Sequence, residues 1–133
     1  MAKKRRATRK EPDPKRLARL IHGVELRSVT AEEGTFFNDG LVSYPYSGRG
    51  RLGVENAVVH SFAREGDRLL ARIAYLLRIS PVAKKKKGKL TIGVTFLLVF
   101  EPKEDVDLDD FREPELDLFA GGNGQFLSWP YFR

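Results

Sequence analysis

The side chains that could carry acid–base, metal or nucleophilic chemistry are few in this sequence. It has no cysteine, and His22 and His60 are its two histidines. Metal sites and acid–base pairs need several such groups to converge, and neither a cysteine nor an HxxxH-type spacing supplies the partners. No Ser–His–Asp arrangement stands out either. We therefore predict a protein that is not an enzyme, needs no metal or cofactor, and uses both histidines as ordinary sheet residues.

Two weaker motifs have plainer explanations. Residues 48–53 form a GxGxxG string, but dinucleotide binding requires such a string to follow a strand and open a helix. The residues from Val54 onward have the pattern of a strand, so a flexible loop is the preferred interpretation. Nine acids lie within residues 101–117, yet their spacing lacks the glycine and terminal glutamate of a calcium loop. This segment is predicted to be a solvated acidic linker.

The net charge of +6 is concentrated at the N-terminus. Residues 1–16 contain eight lysines and arginines against two acids, and the charges of the remaining residues balance. This segment contains Pro12 and Pro14 and has no apolar periodicity, so it cannot bury enough surface to offset its ordering entropy. The sequence predicts a disordered basic tail over residues 1–16 and one domain over residues 17–133.

Compartment is indicated only by what the sequence lacks. No apolar run approaches the ~20 residues that a membrane-spanning helix needs. No apolar stretch follows the basic N-terminus, as it would in a secretory signal. The absence of cysteine suits a reducing compartment. A cytoplasmic location without membrane insertion is therefore expected.

The basic residues leave nucleic-acid binding open as an alternative function. Lys3, Lys4, Arg5 and Arg6, together with the lysines of residues 84–89, could contact phosphates with salt-dependent and sequence-independent affinity. The part of the chain that is predicted to fold carries no net charge, however. This alternative rests mainly on the tail.

Alternation of apolar side chains predicts the fold. It has period two over residues 54–63, 69–79 and 90–100, with the turn Glu65-Gly66-Asp67 between the first two segments. Such alternation, rich in β-branched and aromatic residues, is typical of half-buried strands. The connections are too short for parallel crossovers, which indicates antiparallel neighbours. The prediction is an α+β fold with an antiparallel meander of about four strands and a C-terminal helical segment.

The first strand and the second sheet face are less sharply defined. A strand is expected over residues 21–30 after a short helical or irregular start, and a loop over residues 34–53. The face opposite the main apolar rows carries a second apolar patch, which could contact another subunit or lie under a loop. Its members are Leu70, Ala74, Leu76, Leu97 and Val99.

The C-terminal segment begins with helix signals and ends in an aromatic cluster. Glu113-Pro114-Glu115 favours a helix start, because proline suits the first helical position and acids suit the positive end of the dipole. The glycines of residues 121–124 are predicted to break this helix. The last eight residues then include Phe126, Leu127, Trp129, Tyr131 and Phe132, which need a surface to pack on.

One combination of features is more specific. Long antiparallel strands and an acidic stretch are followed by Phe119, Asn123, Phe126 and the motif Trp129-Pro130-Tyr131-Phe132-Arg133. From about residue 20 onward, this arrangement resembles the SecB family of export chaperones. It is most similar to SecB-like members of actinobacteria, some of which accompany toxin–antitoxin pairs. In that family an aromatic residue before Pro-Tyr, followed by Arg, leads into a long helix that packs on the sheet.

The resemblance implies an ATP-independent chaperone. Its clients would be unfolded polypeptides held for export, or an antitoxin, and it would assemble as a dimer of dimers. The export motor would be a further partner. Clients would bind in grooves lined by aromatic side chains, which offer large apolar contacts at low entropy cost. The candidate client-binding residues here are Phe36, Phe37, Tyr44, Tyr46, Trp129, Tyr131 and Phe132.

Two features depart from the family. Its members are usually acidic, whereas this chain is basic through its tail, so docking on the export motor is in question. The main helix of the family should also follow Arg133. The chain is therefore expected to be a C-terminally truncated or a degenerate member, with one sheet face left bare unless a partner covers it.

Overall fold

The computed structural model describes residues 11–40, 52–82 and 88–132. Two helices and four strands make up these ranges: α1 (Pro14–Gly23), β1 (Val24–Asp39), β2 (Leu52–Glu65), β3 (Arg68–Pro81), β4 (Lys89–Pro102) and α2 (Glu113–Phe132), with a 3₁₀ turn at Leu108–Asp110. The predicted α+β fold, with four antiparallel strands and a C-terminal helical segment, is confirmed. None of the helices in the described ranges is long and apolar enough to cross a membrane.

The sheet has the order β1-β4-β3-β2. Strands β2, β3 and β4 form the predicted meander, and the β2–β3 turn uses Gly66 at a φ of 63°, a conformation that favours glycine. Strand β1 pairs with β4 instead of β2, so the chain crosses the sheet between β1 and β2. The connection at residues 41–51 lies outside the described residues. The GxGxxG string is followed by a strand, β2, and not by the helix that dinucleotide binding requires.

The loop predicted from residue 34 is wrong for residues 34–39, because β1 continues to Asp39. These residues pair with β4 as far as Lys89. Gly93 of β4 permits the close approach, since the Thr35 Oγ1 atom lies 2.6 Å from the position that a Cβ at Gly93 would occupy. The strand also begins at Val24 and not at residue 21, after the helical start that was predicted.

The prediction of a disordered tail is wrong for residues 14–16, which form the first turn of α1. Asp13 caps this helix by accepting a 3.0 Å hydrogen bond from the backbone N–H of Lys15, and Pro14 occupies the first turn. Leu20 is fully buried in the core, so tertiary packing adds to the cap. Residues 1–10 lie outside the described residues.

Helix α2 passes through the glycine run that was predicted to break it. The helix needs Gly121 and Gly124 because the sheet occupies the space that their side chains would take. A Cβ at Gly121 would lie 2.6 Å from the His60 ring, and one at Gly124 would lie 2.7 Å from Ile73 Cδ1. Close contact with the sheet therefore outweighs the low helix propensity of glycine.

The expectation of a bare sheet face is also wrong over part of the sheet, because α2 packs on it. Phe119 of α2 meets Phe100 of β4 edge to face, with ring centroids 4.9 Å apart. The buried apolar core lies between this helix and the sheet and continues beneath α1. Its members are Leu20, Val24, Leu69, Ala71, Ile73, Tyr75, Phe96, Leu98, Phe100, Leu108, Phe111, Leu116, Phe119 and Ala120.

The acidic stretch is only partly the solvated linker that was predicted. Leu108 and Phe111 are buried in the core, and the Glu115 carboxylate has no solvent exposure. Arg112 donates to this carboxylate from Nε at 3.2 Å, and an Arg16 nitrogen lies 4.0 Å from it. A buried charge needs such partners. The contact between Arg16 and Glu115 also joins α1 to the start of α2.

The contacts of the helix glycines predict opposite effects for two identical substitutions. Gly122→Ala meets no atom within 4 Å and should raise the free energy of unfolding by up to about 1 kcal/mol through helix propensity. Gly124→Ala gains the same propensity but crowds Ile73, so it should be less stable than Gly122→Ala by roughly 1–3 kcal/mol. Urea unfolding followed by circular dichroism measures the difference. Equal stabilities would contradict the packing of α2 on β3.

Candidate functional site

The face of the sheet that carries α2, here called the inner face, is the best candidate for a binding surface. Paired residues of antiparallel strands project to the same side, so the strand register identifies the inner face of every strand. On β3 it runs from Leu69 through Ile73 and Tyr75 to Ile79, and on β4 from Phe100 to Leu90. One uninterrupted apolar surface therefore follows the length of both central strands.

Helix α2 covers only one half of this face. Strands of 14 residues span about 45 Å. A helix of 20 residues spans about 30 Å and begins at the Phe100 end. Beyond Tyr75 and Phe96 the described helices leave the inner face open. We call this region the open apolar face; its members are Phe36, Leu52, Val54, Val58, Leu77, Ile79, Leu90 and Ile92.

The open apolar face is accessible to solvent at both of its edges. Phe36 on β1 is 70% exposed and Val54 on β2 is 57% exposed, while the residues on β3 and β4 are half-buried by their neighbours. Large contiguous apolar surfaces are uncommon on soluble proteins and mark interaction sites. The geometry favours a long, apolar ligand lying along the strands.

Tyr75 marks the boundary between the covered and open halves. Its hydroxyl lies 2.6 Å from Ser128 Oγ and donates a 3.0 Å hydrogen bond to the carbonyl of Gln125. Ser128 in turn donates to the Gly124 carbonyl at 2.7 Å. The Tyr75 ring stacks on Phe132 with centroids 4.7 Å apart and planes 11° from parallel. These contacts fix the last turns of α2 to the sheet.

The last turns of α2 also carry exposed aromatic side chains. Phe126 is 80% exposed and Tyr131 is 66% exposed. Trp129 is 41% exposed, although its ring centroid lies 5.6 Å from that of Tyr75. A concavity of about 680 Å³ lies beside Gly122, Phe126 and Trp129 on the outward side of the helix. This side of α2 is therefore a second apolar surface, separate from the inner face.

The opposite sheet face, here called the outer face, holds the second apolar patch that the sequence indicated. Leu76 and Val99 are half-buried there, and Val59 of β2 is 65% exposed. A bidentate pair crosses this face, with Arg72 donating to Glu32 at 2.9 and 3.1 Å, and the bonded carboxylate raises the pKa of Arg72. Whether the patch contacts another subunit stays a prediction.

The structure separates the aromatic residues that were predicted to form one site. Phe36 lies on the inner face opposite Ile92, while Phe37 lies on the outer face opposite Thr91. Trp129 and Tyr131 are exposed at the end of α2, and the ring of Phe132 is engaged by Tyr75. Tyr44 and Tyr46 lie outside the described residues. 

Sequence reasoning found the alternating residues of β2, β3 and β4 in the open apolar face, but of this face it identified only Phe36 as a site residue. The period-two pattern marked these residues as apolar and facing one side. It could not indicate where α2 would stop, so the covered and open halves looked alike. A comparison of the length of each strand with the length of the following helix could have shown that part of the face stays uncovered.

The remaining candidates do not assemble a chemical site within the described ranges. His22 lies on α1 and not in the sheet, and His60 on β2 lies 3.0 Å from an Asp117 carboxylate oxygen of α2. No group of three or more histidines or acids in the described part of the chain could hold a metal. Lys3, Lys4, Arg5 and Arg6, and the lysines of residues 84–87, lie outside the described residues.

Comparison with known proteins identifies the fold. No known family's sequence profile matches the chain, and no curated protein is significantly similar to it. Among solved structures, it matches the Mycobacterium tuberculosis SecB-like chaperone Rv1957 in complex with a ChAD peptide from the HigA1 antitoxin, Rv1956. The match has a TM-score of 0.68 and 21% identity, and covers 89% of this chain and 82% of the other. The resemblance to SecB-like proteins is confirmed as a shared fold.

The buried phenol of Tyr75 predicts a specific loss of stability in alkali. Burial raises the pKa of Tyr75, and its hydrogen bond to Ser128 lowers it to a smaller extent. The folded state thus holds this proton more tightly than the unfolded chain, whose tyrosines titrate near about pH 10. The stabilising effect should be complete below about pH 10 and decline as the pH rises above it.

Urea unfolding at several pH values between neutrality and alkali measures this effect. The stability of Tyr75→Phe should fall less steeply above about pH 10 than that of the wild type. Gly122→Ala, which leaves the Tyr75 phenol in place, should keep the slope of the wild type. Identical slopes for Tyr75→Phe and the wild type would contradict the burial of the phenol.

Proposed function

We propose that this protein is an ATP-independent chaperone that holds unfolded polypeptides along its open apolar face. The single observation that supports this most strongly is the half-covered inner face on a SecB-like fold. The fold places a long apolar surface beside a stable core, and the helix leaves the far half of that surface free. Binding would need no chemistry beyond apolar burial, which is non-directional and tolerates many client sequences.

The shape of the open apolar face suits an extended client. The strands present their inner side chains at period two, the same period at which an extended peptide projects its own. A client lying along β3 would place alternate apolar residues over Leu77 and Ile79, and its other residues would face solvent. Clients would therefore be recognised as apolar segments without a fixed motif.

Strand β2 offers a second means of contact with an extended client. In the described part of the sheet it pairs with β3 alone, in an unbroken register from Leu52 to Glu65. It contains no proline, and its side chains are mostly exposed. Natural edge strands are usually protected by bulges, prolines or lysines, and β2 lacks all three over this length. Its free edge could add a client strand by main-chain hydrogen bonds.

The proposed clients are unfolded preproteins or an antitoxin segment, and the proposed location is the cytoplasm. The similar Mycobacterium tuberculosis chaperone is bound to an antitoxin peptide, which supports a disordered antitoxin segment as one client class. The basic N-terminal residues argue against docking on an export motor through an acidic surface. We therefore place the antitoxin role ahead of the export role.

Two adjacent phenylalanines provide a matched test of the proposed client site. Phe36→Ser removes an exposed ring from the inner face, and Phe37→Ser removes one from the outer face. Because burying such a ring contributes about 1.5–3 kcal/mol, Phe36→Ser should weaken binding of a reduced, carboxymethylated, permanently unfolded polypeptide by roughly ten-fold or more. Phe37→Ser should bind as the wild type does. Fluorescence anisotropy of the labelled client measures both affinities, and equal losses in the two variants would refute the assignment of the inner face.

We also propose that the chain forms a homo-oligomer through the outward side of α2. Leu118, Phe126 and Trp129 are exposed there at helical spacing, and an exposed apolar helix side is stabilised by a partner. Phe126→Ser should lower the molecular mass measured by light scattering after size exclusion, toward the 15.1 kDa of one chain. Val59→Ser, on the outer face, should leave the mass unchanged. A fall in mass with Val59→Ser alone would instead assign the subunit contact to the outer face.

A further inference from the structure

The two halves of α2 are held to the sheet by very different means. In residues 113–120, Leu116, Phe119 and Ala120 are buried, and Asp117 forms its 3.0 Å contact with His60 of β2. The buried Glu115 carboxylate adds the link to α1. This first half is thus fixed by several independent contacts with the core.

The second half, residues 121–132, has weak intrinsic helix stability. It contains three glycines and an asparagine at residues 121–124, and Pro130 lies inside the helix. Glycine and proline are the two poorest helix formers, and proline also removes one backbone hydrogen bond. These residues are helical because they are docked, not because their sequence favours a helix.

The docking of this second half centres on Tyr75, whose hydroxyl donates to the Gln125 carbonyl and lies 2.6 Å from Ser128 Oγ, and whose ring stacks on Phe132. Gly121 and Gly124 lie against His60 and Ile73. Leu127 packs beside the core, and the Tyr131 ring lies 6.3 Å from that of Phe96. The side chains of Phe126 and Tyr131 remain mostly exposed. Two residues of this segment are buried, Gly124 and Ser128, against four in the first half. Within one chain, opening the segment would therefore cost less than opening the first half, which would stay in place, and the proposed subunit contact through Phe126 would oppose the opening.

The surface beneath this segment continues the proposed client site. Ala71, Ile73 and Tyr75 lie on the same row of β3 as Leu77 and Ile79, and all five project to the inner face. The second half of α2 and a client along the strands would occupy adjoining stretches of one apolar row. A client longer than the open apolar face would compete with the helix for Tyr75 and Ile73.

We propose that residues 121–132 form a displaceable lid, which hinges at its glycines and competes with clients for the inner face. This inference rests on the proposed chaperone function and specifies how the same site is regulated. When the lid is docked, the inner face accepts short apolar segments at its far end. When it opens, the site lengthens along β3 toward Ala71.

Two substitutions should change the equilibrium between the docked and the open lid in opposite directions. Neither adds or removes an apolar contact with the client. Gly122→Ala adds a methyl group in open space and favours the docked helix, so it should reduce lid opening about five-fold. Tyr75→Phe keeps the ring but removes the hydroxyl that bonds Ser128 and Gln125, so it should increase opening about five-fold. Ser61→Ala, an exposed change on the outer face of β2 opposite Arg72, is the control and should alter neither opening nor binding.

Amide hydrogen exchange of the full chain, read by mass spectrometry after proteolysis, measures lid opening. In the wild type, residues 121–132 should exchange at least about ten-fold faster than residues 113–120. Gly122→Ala should slow exchange in the lid and weaken binding of the reduced, carboxymethylated client. Tyr75→Phe should accelerate exchange and strengthen binding.

The outcomes separate the lid from the function on which it rests. Uniform exchange along α2, or client affinities that move in the same direction in both variants, would overturn the lid and leave the proposed function intact. Exchange could instead differ between the variants while neither the wild type nor Tyr75→Phe binds the client. That result would overturn the proposed function and, with it, the regulatory role of the lid.

Discussion

A difference in length between the sheet and its covering helix determines most of this structure. The inner face extends along strands of about 45 Å, because each residue of a strand advances more than twice as far as a residue of a helix. A helix of 20 residues that starts at one end of such strands must leave the other end open. The core near α1 and the start of α2 is therefore closed and well packed, and the far end keeps apolar side chains in contact with water. That division leaves an exposed apolar surface beside a well-packed core.

The contacts of α2 show how a sequence with poor helix formers can be helical where packing against the sheet requires it. Gly121 and Gly124 bring the helix backbone against His60 and Ile73, closer than any side chain would allow. Tyr75 then satisfies the backbone and hydroxyl groups of the last turns. The result is a helix whose start is fixed by burial and whose end is held by a small number of contacts.

The sequence predicted the parts of the fold that depend on local pattern and missed those that depend on packing between distant residues. Strands β2, β3 and β4 were found because their alternation is long and regular. The glycine run was interpreted as a helix end because the His60 and Ile73 contacts that require glycine lie more than 45 residues away along the chain. The side taken by Val29 was also beyond reach, since β1 has register shifts between Leu26 and Ser28 and between Ala31 and Glu33. Each shift reverses which residues face inward, so alternation counted from Leu26 assigns Val29 to the wrong face, and the two shifts cancel again by Phe36.

The central claim is that unfolded polypeptides bind the open half of the inner face. Methyl-resolved NMR of the full chain, with an unlabelled unfolded client added stepwise, tests it most directly because methyl groups line both sides of the sheet. The account predicts that signals of Ile79, Ile92 and Val54 on the inner face shift or broaden as client is added. Signals of Val59, Leu76 and Val99 on the outer face should stay unchanged. Perturbation confined to the outer-face methyl groups would contradict the account.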